Sequence, residues 1–277
     1  MSSDSERAVV NLIAKRLIAR QDVMAIQAPT GEYRPSRGHG FTRESMTAHI
    51  RGEKSYGHYL LNSESQSKVF AYDLDLTKTG TACPVTFRSN GSIDVDRDRA
   101  EECNPREVWA DPDHPLRAHL GLQLRYVAES IAYRARRAYG FDVAISYSGN
   151  KGLHVYVLAG LRSAADCRGM CIALLDSWIY APADGDKPTL KAVEPTRGDN
   201  FWRMTSSEAS CVDIELFPKQ DHVEPGEFGN LMRLPLGRNM KTGNRSFFVD
   251  LSQPPTRSIL FAEDDPEAAL AKGSIRD

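Results

Sequence analysis

No stretch of the 277 residues stays apolar for the roughly 18 residues a membrane-spanning helix needs, so no membrane partner is expected. The N-terminus, Met-Ser-Ser-Asp-Ser-Glu, lacks the basic-then-apolar pattern of a secretory signal, which leaves a cytoplasmic location as the default expectation. No Cys-x-x-Cys pair occurs among Cys83, Cys103, Cys167, Cys171 and Cys211, and nothing follows at zinc-finger spacing. Cys167 and Cys171 read instead as buried thiols on one helix face. The absence of GxxxxGK[ST] excludes a P-loop ATPase within these residues. Charge of either sign is not in excess: 35 Lys and Arg stand against 37 Asp and Glu. A polycation that coats nucleic acid with its whole surface is thereby excluded. Asp94-Val-Asp96-Arg-Asp98 lacks the glycine and closing glutamate of an EF-hand loop and reads as a solvated face.

What is present is an ordinary globular composition, 41% apolar and 26% charged, with the charge unevenly spread. Residues 231–249 carry Arg233, Arg238, Lys241 and Arg245 and no acid, whereas 92–113 is acid-rich. Periodicity predicts helices over Ser5–Arg20, Glu44–Arg51, Leu116–Tyr139 and Arg162–Tyr180. Strands are expected at 57–61, 68–76, 143–147, 153–158, 212–217, 231–236 and 246–250. Asn90-Gly91 marks a hairpin between Val85-Thr-Phe and Ile93-Asp-Val. Residues 27–45 and 182–200 read as loops. Hairpins beside crossovers make the fold class α+β. One catalytic domain is expected over 1–262, with 79–115 a polar insertion and 263–277 a tail or linker.

Four constellations carry chemistry. In Phe70-Ala-Tyr-Asp73-Leu-Asp75-Leu, the aspartates alternate along a strand and share a face. Two such carboxylates repel unless a cation sits between them, and Mg²⁺ or Mn²⁺ suits their oxygens. In Ser148-Gly149-Asn150-Lys151-Gly152-Leu-His154, glycines expose backbone N–H groups while Ser148, Lys151 and His154 supply donors around an anion such as a triphosphate. Val212-Asp213-Ile-Glu215-Leu-Phe217-Pro218-Lys219 repeats the paired acids. Glu215 is the first choice for a third metal ligand, Asp213 the second, and Lys219 is within reach of a phosphate. Arg233, aimed from a strand-like run, reads as a phosphate clamp together with Arg238. A basic edge strand, an ordinary hairpin and a solvated acidic strand are the bland alternatives.

DxD, then SGxxGxH, then an acid before Phe-Pro-Lys, in that order, resembles the archaeo-eukaryotic primase superfamily from about His49 to Asp250. The Ser-Gly-Asn-Lys-Gly-Leu-His string is close to polymerase domains of bacterial end-joining ligases. Phe-Pro-Lys-Gln and Leu-Pro-Leu-Gly are closer to phage, plasmid and defence-system primase-polymerases, so a bacterial, phage or plasmid setting is expected. The resemblance implies an α/β N-terminal subdomain packed on an RRM-like antiparallel sheet, with the active site between them. It implies two divalent metals on Asp73, Asp75 and Glu215 or Asp213, with Ser148 and His154 on the incoming nucleoside triphosphate, NTP or dNTP. The activity implied is template-dependent nucleotidyl transfer, DNA priming or polymerisation. Expected partners are single-stranded DNA template and primer, and a replicative helicase in cis or trans. Arg34, Arg37, Arg43 and Arg51 are the expected nucleic-acid contacts. A metal-dependent nuclease and a non-catalytic single-strand-binding module are the competing functions.

Overall fold

Alternation in Phe70-Ala-Tyr-Asp-Leu-Asp-Leu decides which side of the central strand is dry. Phe70, Tyr72, Leu74 and Leu76 are fully buried on one face, and Asp73 and Asp75 are left to the other. The computed structural model describes residues 3–90, 92–179, 193–196, 198–204, 209–252, 260, 262 and 264–273. Most of the 182–200 stretch read as loop lies outside these residues.

The Phe70–Leu76 strand sits between Val212–Phe217 and Gly152–Val157, and Val143–Tyr147 lies beyond the latter, every pairing antiparallel. Helix Arg117–Tyr139 connects the first of these strands in sequence to the second, and helix Ala164–Ile179 connects the third to the fourth. The result is βαββαβ with strand order 4-1-3-2, an RRM-like sheet as expected. Both helices cover the dry face, where Leu120, Leu124, Val127, Ile131, Cys171 and Leu175 pack on Leu74, Ile145 and Val155. Burying one such aliphatic side chain is worth about 2 kcal/mol. Tyr72 donates its hydroxyl to the Cys171 carbonyl at 2.9 Å. Cys167 and Cys171 are fully buried, and burial raises both thiol pKa values, Cys167 to about 11. Short strands Val193–Pro195, Phe201–Met204 and Phe247–Phe248 extend this sheet at its edges.

A second sheet of four strands has the order Leu231–Arg233, Tyr56–Tyr59, Met24–Gln27, Tyr33–Ser36. Helices Ser3–Arg16 and Arg43–Arg51 complete this N-terminal layer. Its core contains Val9, Ile13, Met24, Met46, Tyr56 and Met232, and it also takes in Ala71, Ala144, Tyr156, Phe217 and Phe248 from the larger sheet. One half of the wet face is therefore covered by the N-terminal layer, and the half bearing the acids is not. Two of the four small-sheet strands fall within or beside the 27–45 stretch read as loop. Tyr33–Ser36 is an edge strand containing Pro35, the one place in a sheet where proline costs no ladder bond.

The insertion is more ordered than its polarity implies. Val85–Phe87 and Ile93–Val95 form the expected hairpin, and Gly80–Ala82 pairs with Glu101–Cys103. Asn104 caps the short helix Pro105–Ala110 by accepting from the Arg106 amide. Helix Pro266–Lys272, within the expected tail, buries Ala269 and Leu270 in the N-terminal core, and its Leu270 carbonyl accepts from Arg16 Nε at 3.2 Å.

His58 is buried in this second core, and among the described residues neither ring nitrogen has a hydrogen-bond partner. An unsatisfied buried polar group costs about 1 kcal/mol or more. Replacing His58 with Leu is expected to raise the melting temperature by about 2–4 °C. A fall in the melting temperature would show that the imidazole is needed where it lies.

Candidate active site

Register brings the acids together. Asp73 pairs with Glu215 on one side and His154 on the other, while Asp75 pairs with Asp213 and Gly152. Residues directly opposite in a ladder share a face at Cβ separations of about 5 Å. Asp73, Asp75, Asp213 and Glu215 thus form a two-by-two block on the wet face. Like charges so close are costly, and cations surround them. Lys151 pairs with Asp75, Lys219 pairs with Glu215, and Arg203 grips Asp213 through two bonds, at 2.7 and 3.3 Å. Among the described residues, no lysine or arginine is paired with Asp73 in this way. Burial, reinforced by the Asp75 and Glu215 charges, holds its carboxyl well above the usual aspartate range. Among the described residues no three acid, histidine or cysteine groups converge as a ready metal cage; the two lysines stand against the carboxylates instead.

The turn between Val143–Tyr147 and Gly152–Val157 depends on its glycines. Gly149 has φ +75°, and a Cβ there would press on Asn239 and the Asn244 carbonyl at 3.0 Å. A Cβ at Gly152 would lie 2.0 Å from the Leu74 carbonyl oxygen. Only glycine lets this turn approach the Asp75 strand so closely. The Asn150 carbonyl accepts from Trp109 Nε1 at 2.8 Å and from the Tyr147 hydroxyl at 2.6 Å, which fixes the crown of the turn. Arg233 reaches in from the small sheet, donating to the Ser148 carbonyl and, through Nε, to the Tyr33 hydroxyl at 2.9 Å.

His154, the expected donor to an anion, has one ring nitrogen already engaged. The Tyr156 hydroxyl donates to the Arg233 carbonyl at 2.6 Å, so it accepts from His154 Nδ1–H at 3.1 Å. Nε2 is then a lone pair, 3.6 Å from Asp73 Oδ1. Burial, with the Arg233 and His58 charges adding to it, lowers the His154 pKa to about 3.

A cavity of about 240 Å³ opens over the acids, lined by all four of them and by Phe201, Arg203 and Arg106 among others. A larger one, about 520 Å³, lies between the insertion and helix Arg117–Tyr139, and none of the acids lines it. Arg238 and the four arginines expected along the template lie outside the smaller cavity. Arg238 packs with Arg245 against Gly52 at the end of helix Arg43–Arg51. Arg34 pairs with Glu32 and Arg51 with Glu6, Arg37 lies over the Phe228 ring, and Arg43 opens its helix on the surface. None of these five lines the cavity over the acids, and neither do Ser148, Gly149, Lys151, His154, Lys219 and Arg233. Sequence reasoning in turn missed Arg106, Phe201, Arg203 and Trp109. The alternating aromatic and cationic run Phe-Trp-Arg-Met at 201–204 was the available signal for two of them.

A family model for the archaeo-eukaryotic primase domain of TOTE conflict systems matches residues 197–260. The match spans the Asp213–Glu215 strand, Lys219 and Arg233. The match covers 64 of the 277 residues and supports a domain of the archaeo-eukaryotic primase superfamily here. Asp73, Asp75 and the Ser148–His154 hairpin lie outside the matched stretch of this primase domain, and the sheet sets them beside it. No curated protein matches the chain. A domain of this kind points to a superfamily of nucleotidyl-transferase type.

Proposed function

We propose that this primase domain joins nucleoside triphosphates to a 3′-hydroxyl on a single-stranded DNA template. The observation that carries the reading is the block of four acids in direct register with the Ser148–His154 hairpin. Clustered carboxylates are the donor type that hard divalent cations take, and burial and the Asp75 and Glu215 charges hold the Asp73 pKa above its usual range. Asp73, Asp75 and Glu215 would hold Mg²⁺ or Mn²⁺, which when bound activates the 3′-hydroxyl and stabilises the charge on the leaving pyrophosphate. Asp213 is the weaker candidate, because Arg203 already neutralises it through two bonds.

The protein's own part is to grip and orient. Ser148, the Gly149 backbone, Lys151 and Arg233 would grip a triphosphate beside the acids, with His154 in register between the hairpin and Asp73. Lys151 and Lys219, each now paired with a carboxylate, are positioned to transfer their charge to phosphate oxygens. The 3′-oxygen forms a bond to the α-phosphorus, the bond to pyrophosphate breaks with its electron pair, and the hydroxyl proton leaves to solvent. A helicase supplied by another protein, or by further sequence, is the partner this reading calls for, since no P-loop occurs within these residues.

A nuclease also clusters acids, but a Ser, Lys and Arg cradle for a triphosphate has no purpose in one. Incubation with template, primer, Mn²⁺ and labelled nucleotides, ribo and deoxy pools in parallel, separates extension, degradation and inert binding. Extension is expected, with a loss of roughly a thousandfold or more in the Asp73→Ala, Asp75→Ala double variant. Undiminished synthesis by that variant would overturn the site.

A further inference from the structure

The acids occupy two middle strands of the sheet, and the flanks on either side of them differ in kind. On one flank lie His154, Lys151 and Ser148, with Arg233 above them. On the other, Phe201 stands in register with Glu215 and Arg203 with Asp213, and Arg106 closes the same cavity. Phosphoryl transfer runs in line, so the attacking oxygen and the leaving pyrophosphate occupy opposite sides of the phosphorus. A triphosphate held by the hairpin sends its pyrophosphate toward the His154 flank. The hydroxyl must then arrive from the Phe201 flank.

We infer that the Phe201–Met204 strand and the insertion helix Pro105–Ala110 together seat the 3′-terminal nucleotide of the acceptor strand, Phe201 under its base and Arg106 on its phosphodiester. The inference rests on the nucleotidyl-transfer reading above and adds polarity to the cleft. Arg106 is fixed by its own bond: Nε donates to the Leu76 carbonyl at 2.8 Å, at the end of the Asp75 strand, and the residue lines the cavity. A planar cation so fixed suits a phosphate oxygen. The Phe201 ring lies beside the acids with Lys219 Nζ 5.2 Å from its centroid, a half-buried aromatic surface of the kind on which bases stack. Arg203 is spent on Asp213 and serves as the wall. The same helix holds the triphosphate hairpin through the Trp109–Asn150 bond, so one element spaces both reactants. The insertion thereby becomes part of the active site.

The decisive measurement needs no variant. A primer carrying 4-thiothymidine at its 3′ end is annealed to template, bound to the wild-type protein with Ca²⁺ in place of the catalytic ion, irradiated, and the adduct mapped. Adducts within 196–204 or 105–110 are expected. Adducts within 33–37 or 146–154 would overturn the seat while leaving nucleotidyl transfer standing. In steady-state extension, Arg106→Ala and Phe201→Leu should raise KM for the acceptor about tenfold more than KM for the nucleotide. An equal or larger effect on the nucleotide contradicts the inference. Arg106→Lys keeps the charge and should recover part of the loss, which a variant that merely misfolds does not. A wild-type protein that extends nothing removes the transferase reading, and this inference with it.

Discussion

Asp73→Asn is expected to give a protein that is inactive and, without metal, more stable than the wild type. Burial, reinforced by the Asp75 and Glu215 charges, holds the Asp73 pKa well above the ordinary value of 3.8. A folded pKa raised in this way contributes stability that is complete below 3.8 and is lost as pH rises through the raised value. At pH 8, in chelator, the wild type therefore carries a charge penalty that asparagine escapes. The side chain is 28% exposed, so solvent screens part of the penalty, and about 1 kcal/mol is a fair magnitude. That corresponds to a melting temperature about 2–4 °C higher. The difference should close as pH falls toward 4 and reverse when Mn²⁺ is added, because only the aspartate gains from the ion. Melting curves at pH 8 with chelator and with Mn²⁺ decide the matter; a destabilised asparagine variant in chelator would mean that the acid block is not strained.

The second large effect is acid lability. Burial lowers His49 to about 4 and His58 to about 3. His49 accepts from the Tyr56 amide at Nδ1 and donates from Nε2 to the Pro235 carbonyl, an arrangement complete only in the neutral ring. For both residues the folded pKa lies below the unfolded 6.5. Their contribution is therefore full above 6.5 and is lost as pH falls through the window down to 3–4. Each contributes about 1.4 kcal/mol per pH unit across that window. By pH 5 the two together remove about 4 kcal/mol, a large share of a typical domain's 5–15. His154 acts in the same direction and Asp73 in the opposite one, so the pair at the site partly offset each other. Urea midpoints at pH 7.5 and 5.5 measure the loss, and His58→Leu should cut the slope by nearly half. A midpoint that stays level between those pH values contradicts the assignment.

Side-chain alternation made much of this legible in advance. The aspartates share a face because residues two apart on a strand must; the order of elements gave the α+β class, and the RRM-like sheet came only as what the primase resemblance implies. What the chain order withholds is register. Glu215 stands opposite Asp73, and Asp213 opposite Asp75, through a ladder between residues some 140 positions apart, and no local spacing encodes that offset. Arg106 was hidden by the polarity of its surroundings. Its role depends on one bond to a distant carbonyl, which composition cannot reveal. Arg34, Arg37 and Arg51 show the same limit from the other side: closeness in sequence does not say which neighbour each guanidinium takes, and here they take Glu32, the Phe228 ring and Glu6.

The small sheet gains its last strand from residues 231–233, which pair with Tyr56–Tyr59. During synthesis the first sixty residues therefore wait, one sheet edge unpaired, until more than 230 have been made. A ribosome-bound chain stopped at residue 160 should expose that edge and recruit chaperones, and a gene cut between the two layers should not yield two separately folding halves.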